Sequence, residues 1–399
     1  MDGNSHSYRH GTLPNGGDEM AVLTPNLERL LAVAILLLAG LVGLAREGSA
    51  ESPEPTQRYS AVYGPPQQPV KQLPSPPMIG VSNCVSLHSR LLAKLQGNVY
   101  ALDSSADGRT LAVWVLGADL GVTLMDTAKG TVLQKIPAEV LPMALSPDGH
   151  FVATGTIPPP FQSRVAGPDV SLWEVGTPRR LALLHGLQAK ITGLMFSPEG
   201  GLLASVTEDG ILNLRRVPSG DGVWQLSAEG GVKQVAFSAD GTLIAGSGPG
   251  TSRDEWTLGV WDVSTQRSVA TLGRLPPLHR DERVRVLAFA PPGSGEVIFG
   301  TSQHVVIWHY GGPQSWVKRF EIAPAAVSPD GKIAVTIDSY VGGGPNGYSP
   351  VTLWDFFKGL PLVTKRSPEG TLVTTVAFSK DGRRLVCGTN GGEIIIWEH

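Results

Sequence analysis

Cysteine is almost absent from this chain: only Cys84 and Cys387 occur, 303 residues apart. Two unclustered cysteines supply neither a disulfide framework nor a thiolate metal site, and Cys387 fits a small buried position in a strand. A single Cys84–Cys387 bridge is the one pairing open to them. Charge is sparse as well, at 17% Asp, Glu, Lys and Arg with a net of −3, and no run of basic residues exceeds a pair. That removes the electrostatic footprint expected of a nucleic-acid binder. No His-Glu-x-x-His, Gly-x-Ser-x-Gly or Gly-x-x-x-x-Gly-Lys motif is present, so zinc-protease, serine-hydrolase and phosphate-loop chemistry have no sequence support and no cofactor is implied. Gly342-Gly343-Gly344-Pro345-Asn346-Gly347 matches the dinucleotide fingerprint literally, but Tyr348-Ser349-Pro350 and a strand follow it where a helix is required.

Glycine (49) and proline (32) are abundant, and they fall in a pattern. Six tetrads read Ser-x-Asp/Glu-Gly: Ser105–Gly108, Ser146–Gly149, Ser197–Gly200, Ser238–Gly241, Ser328–Gly331 and Ser379–Gly382. A degenerate seventh, Ala290-Pro291-Pro292-Gly293, fills the gap after the fourth. The seven glycines are spaced by 41, 51, 41, 52, 38 and 51 residues. Each tetrad follows a β-rich run such as Val235-Ala236-Phe237, and Asp-Gly between two such runs marks a hairpin, because glycine takes the positive φ of the turn. Further strands end near Trp-Asp: Leu172-Trp173-Glu174, Val260-Trp261-Asp262, Ile307-Trp308, Leu353-Trp354-Asp355 and Ile396-Trp397-Glu398, with Met125-Asp126 and Arg215-Arg216 in the same slot of two repeats.

An all-β unit of forty-odd residues repeated seven times predicts a propeller of four-stranded antiparallel blades. Tetrads in phase with Leu-Trp-Asp resemble the WD40-repeat family, in a divergent, bacterial-type form, over about three quarters of the chain. The resemblance implies a binding scaffold. It also implies a Gly-His before each first strand and an Asp in the second hairpin, linked to Ser/Thr and Trp by hydrogen bonds; here Gly-His is missing, and Asp209 is one of few matches for the Asp. The blades are therefore expected to rely on packing more than on that polar network. The five in-register tryptophans read as packing residues, not as a cofactor cage.

The last blade lacks a strand, since only Glu398 and His399 follow Trp397. Arg90-Leu91-Leu92-Ala93-Lys94-Leu95 resembles the outer strands of other blades and is expected to complete it, closing the ring with the amino-terminal end. The expected organisation is a disordered tail (1–29), an apolar run (30–45), a proline-rich tether (46–87) and the propeller (88–399). The 30–45 run carries no charge and falls between a signal-peptide core and a full membrane span. An uncleaved single-span anchor, a cleaved export signal and a buried helix all fit it, and basic residues on its two sides do not set an orientation. Eight prolines between 51 and 77 read as a semi-rigid spacer.

Repeat length alternates for a reason. Between their second and third strands, blades three, five and seven have tight connections, whereas blades two, four and six carry long ones at 157–169, 248–257 and 339–350. In a propeller these emerge on one face, together with the 275–283 connection between blades four and five. Phe161, Arg164, Arg253, Trp256, Arg280, Tyr340 and Tyr348 are the candidate contacts for a protein partner, being the aromatic and arginine types that interface hot spots use. The alternative is an extracytoplasmic hydrolase or lyase at the channel mouth, for which Asp254, Glu255, His279 and Asp281 are the available titratable groups.

Overall fold

The computed structural model describes residues 77–399 apart from 138–141, 157–168, 178, 188, 228–230, 250–255, 273–283, 285, 302–303, 312–315, 321–323, 339–346 and 369. Within them are seven antiparallel sheets, each of four strands. Six are consecutive meanders: blades one (97–136), two (143–184), three (191–227), four (234–272), five (286–320) and six (326–366). The seventh takes three strands from 373–398, and its outer strand is His88–Lys94, paired antiparallel to Glu393–Glu398. First strands touch in cyclic order, each against the next, and the first strand of blade seven meets that of blade one. This is the predicted seven-bladed ring, closed by the amino-terminal strand.

Alternation along the strands explains why the blades stand face to face. Residues two apart share a side of the sheet. In blade five, Val297 and Phe299 pack toward blade four while Ile298 packs toward blade six. In blade seven, Cys387 faces blade six and Val386 faces blade one. The buried apolar residues consequently divide into seven clusters, one in each seam between neighbouring blades. Among the largest fully buried side chains are Trp308, Trp397, Phe299 and Phe356.

Closure is more than one strand pairing. The packed body starts upstream of the expected boundary at residue 88: Ile79, Cys84 and Leu87 are buried in the seam between blades six and seven. The Ile79 amide donates to Gly382 O (2.8 Å), and Lys365 Nζ donates to Leu87 O (2.9 Å) and Val85 O (3.2 Å). Within the outer strand, Arg90 binds Glu398 (Nη2–Oε1 2.9 Å) and Thr127 O of blade one, while Lys94 binds Glu393 (Nζ–Oε1 2.8 Å). Arg384 takes the other Glu398 oxygen at 2.8 Å and reaches Gly108 O of blade one. Burial alone would raise the Glu398 and Glu393 carboxyls. The hydrogen bonds from Arg384 and Arg90 to the first, and from Lys94 and Thr389 to the second, outweigh it and hold both below the usual glutamate range. Cys84 and Cys387 are both free and buried in the same cluster, so no disulfide pins this junction.

Beside this packing, hydrogen-bonded tryptophans persist in part. Trp173 Nε1 donates to Thr154 Oγ1 and Trp354 Nε1 to Thr336 Oγ1, each at 3.1 Å. In blade six the set extends through Asp338, which accepts from Thr336 (3.1 Å) and Thr352 (2.9 Å). Phe299 holds the register position of those threonines in blade five, and there the buried Trp308 Nε1 has no hydrogen-bond partner.

Candidate functional site

The disk has two faces with different chemistry. One bears the Ser-x-Asp-Gly turns joining first and second strands. In these, the serine hydroxyl donates to the Asp carboxylate and accepts the amide two residues beyond the glycine. In the fourth repeat Ser238 Oγ lies 2.6 Å from Asp240 Oδ1, and Leu243 N lies 2.9 Å from Ser238 Oγ. The same pattern recurs at Ser105, Ser328 and Ser379. The Ser238 hydroxyl and the Thr242 amide hold the Asp240 carboxyl below its ordinary value. The Asp of Trp-Asp acts likewise at the next turn on this face: Asp262 accepts from Ser264 Oγ (2.7 Å) and Thr265 N (2.7 Å). These repeated carboxylates fold their turns through a single oxygen, Oδ1.

The opposite face carries the connections between second and third strands and those between blades. The tight ones close on glycine contacts. A Cβ on Gly210 would lie 2.5 Å from Gly231 Cα, and one on Gly392, at φ +82°, would lie 1.9 Å from Leu95 O. The roots of the long connections stand on the same face. At blade two the exit is fixed by Thr156, which accepts from the Asp169 amide (3.1 Å) and donates to Asp169 O (2.9 Å); the Asp169 carboxylate sits 3.0 Å from His185 Nδ1. At blade four the hairpin arms run further than expected, to the Pro249–Trp256 pair, which leaves 250–255 as the loop itself. At blade six Tyr348 forms a parallel bridge to Thr371, and the Arg366 guanidinium lies over its ring, 4.7 Å from the centroid. The Ser349 amide donates to Ser367 Oγ (2.8 Å), and Ser349 Oγ accepts from Val373 N (3.2 Å).

Of the residues singled out from sequence, Tyr348 is therefore half-buried at a loop root, engaged by Arg366. Trp256 opens the third strand of blade four. Phe161, Arg164, Arg253, Arg280 and Tyr340 lie outside the described residues, as do Asp254, Glu255, His279 and Asp281. Arg366 was missed by sequence reasoning; its only signal is the Lys365-Arg366 pair ending the outer strand of blade six, a spacing that says nothing of a tyrosine across the loop. Among the described residues no group of three His, Cys, Asp or Glu side chains is placed to hold a metal ion. Nor is any described helix long and apolar enough to cross a membrane; the 30–45 run lies outside the described residues.

Comparison with known proteins agrees with this architecture. The family model for the WD domain, G-beta repeat, matches residues 360–398. That span runs from the outer strand of blade six through the third strand of blade seven. The chain is a seven-bladed β-propeller with a match to the WD repeat. The matched repeat is thus offset by one strand from the blades of the propeller, and the ring takes its last outer strand from the amino-terminal side. Similar proteins include the SEC12-like protein 2 of Arabidopsis thaliana, 27% identical over 48% of this chain and 47% of its own length. An uncharacterized WD repeat-containing protein of Synechocystis is 29% identical over 43% of this chain and 45% of its own. The groucho protein of Drosophila melanogaster is 25% identical over 35% of this chain and 19% of its own. The chain thus spans less than half the length of these relatives. Among solved structures, a chain of the Kuenenia stuttgartiensis hydrazine synthase superposes with a TM-score of 0.58 at 17% identity, covering 77% of this chain and 97% of that one; the likeness is one of fold.

Proposed function

We propose that this WD40 propeller is a protein-binding platform, held at a membrane by the 30–45 segment and its proline-rich spacer, with the loop face presented to the partner. The observation that carries the reading is the alternation of connections on that face. Blades two, four and six have the longer connections there, whereas those of blades one, three, five and seven, at 118–120, 208–210, 301–304 and 390–392, are three or four residues long. WD40 propellers generally bind protein partners, which supports the same reading. The mechanism is presentation. A ring sealed by seven apolar seams fixes the loop roots, so docking costs less ordering entropy than binding by a mobile chain.

The test is cross-linked capture from native membranes with the intact chain and with a variant whose 157–168, 250–255 and 339–346 segments are replaced by Asn-Gly turns. The expected result is loss of specific partners from the trimmed protein at an unchanged thermal transition. An identical partner set from a trimmed ring that still folds overturns the proposal.

A further inference from the structure

On the turn face, each Ser-x-Asp-Gly glycine seats against the turn of the preceding blade. A Cβ on Gly149 would lie 3.4 Å from Ser105, one on Gly241 2.6 Å from Glu199, one on Gly331 3.1 Å from Pro291, and one on Gly108 2.8 Å from Asp381. Blade five alone breaks this sequence of contacts among the seven tetrads: a Cβ on Gly293 would meet nothing within 4 Å. The cause is in the register. Phe289 pairs with Val297, one residue further along than in Phe196–Leu203, Phe237–Ile244 or Phe378–Leu385. Ala290 also stands where the other turns have serine, so no hydroxyl draws the loop inward.

The gap is a cleft of about 70 Å³ between the turns of blades four and five. Its walls include Asp240, Glu296, Ser294, Phe289, Tyr310 and Pro292; none of its lining residues is basic, and next to them His309 has Nδ1 3.9 Å from Glu296 Oε1. Asp240 commits Oδ1 to Ser238 and Thr242. The Ser294 hydroxyl oxygen is buried from solvent and has no hydrogen-bond partner. Phe289 and Tyr310 stand edge to face, their centroids 6.4 Å apart. A cleft of this size is on the scale of one side-chain tip.

We propose that this cleft receives a single cationic side-chain tip, arginine or lysine, from a protein partner docked on the turn face. The Asp240 and Glu296 carboxylates complement its charge, and the aromatic walls cover its stem. This surface is separate from the loop face, and its occupancy does not depend on the long loops.

The test is amide NMR of the full chain in detergent micelles, titrated with acetyl-Gly-Arg-Gly-amide, its lysine counterpart and its glutamine counterpart. The expected result is shifts at Gly293, Ser294 and Gly295, with the cationic peptides binding about fivefold more tightly than the glutamine peptide, as a partly exposed ion pair gives. Glu296→Gln is expected to erase that preference. Asp330→Asn, the same turn chemistry in a closed blade, is expected to leave it intact. Equal response to charged and neutral peptides, silence at these amides, or equal loss in Asp330→Asn overturns the proposal.

Discussion

A chain that begins at Gln96 loses its cooperative unfolding transition. Removing the preceding residues strips Ile79, Leu87, Leu92 and Leu95 from two seams, and all four are buried. At about 1.5–3 kcal/mol for each buried aliphatic side chain, the loss is about 6–12 kcal/mol. A folded domain has only about 5–15 kcal/mol in total. The truncation also exposes the edge of Glu393–Glu398 and leaves Glu398 and Glu393 without Arg90 and Lys94. Thermal unfolding followed by circular dichroism decides it; a sharp transition at the intact midpoint would show that the ring closes without this latch. The junction should also answer to acid. Because the folded-state carboxyls lie below their ordinary value of about 4.5, their stabilising contribution is complete above that value. It is lost as pH falls through the folded values, and Glu398→Gln should flatten that dependence.

Trp397→Ala is expected to destabilise the ring by about 3–5 kcal/mol, the range for deleting a large buried aromatic. Trp397 is 2% exposed, in the seam where the amino-terminal segment, blade six and blade seven meet. Deleting it opens a cavity that strand ladders on three sides prevent from collapsing. Trp397→Phe keeps most of the volume and should cost markedly less. The check is the urea midpoint at constant slope. A shift equivalent to less than about 1 kcal/mol would mean that the seam repacks and is not the rigid junction described here.

Much of this was legible because its chemistry is local. Ser238, Asp240 and Gly241 form their turn from hydrogen bonds within five residues, and period-two alternation at Val297, Ile298 and Phe299 sorts them between two seams. The closing strand was legible because residues 90–95 resemble the outer strands of other blades. What sequence could not show depends on distant partners. The burial of Ile79 and Cys84 arises from residues near 380, and Tyr348 is held by Arg366 across a loop. The Ala290–Gly293 departure was visible as a weak repeat, but the gap it leaves is a matter of register against Val297. The candidate contacts were chosen by residue type and loop length, and of these only Tyr348 has a described side-chain environment, as a loop-root residue.

The central claim is that partners meet the loop face. The most direct measurement places a photo-reactive phenylalanine at Leu120 or Asn390, exposed on tight connections of that face, and at Arg109 or His150, exposed on the turn face. Irradiation of native membranes is expected to trap the loop-dependent partner from Leu120 and Asn390. Trapping of that partner from Arg109 and His150 alone would contradict the account.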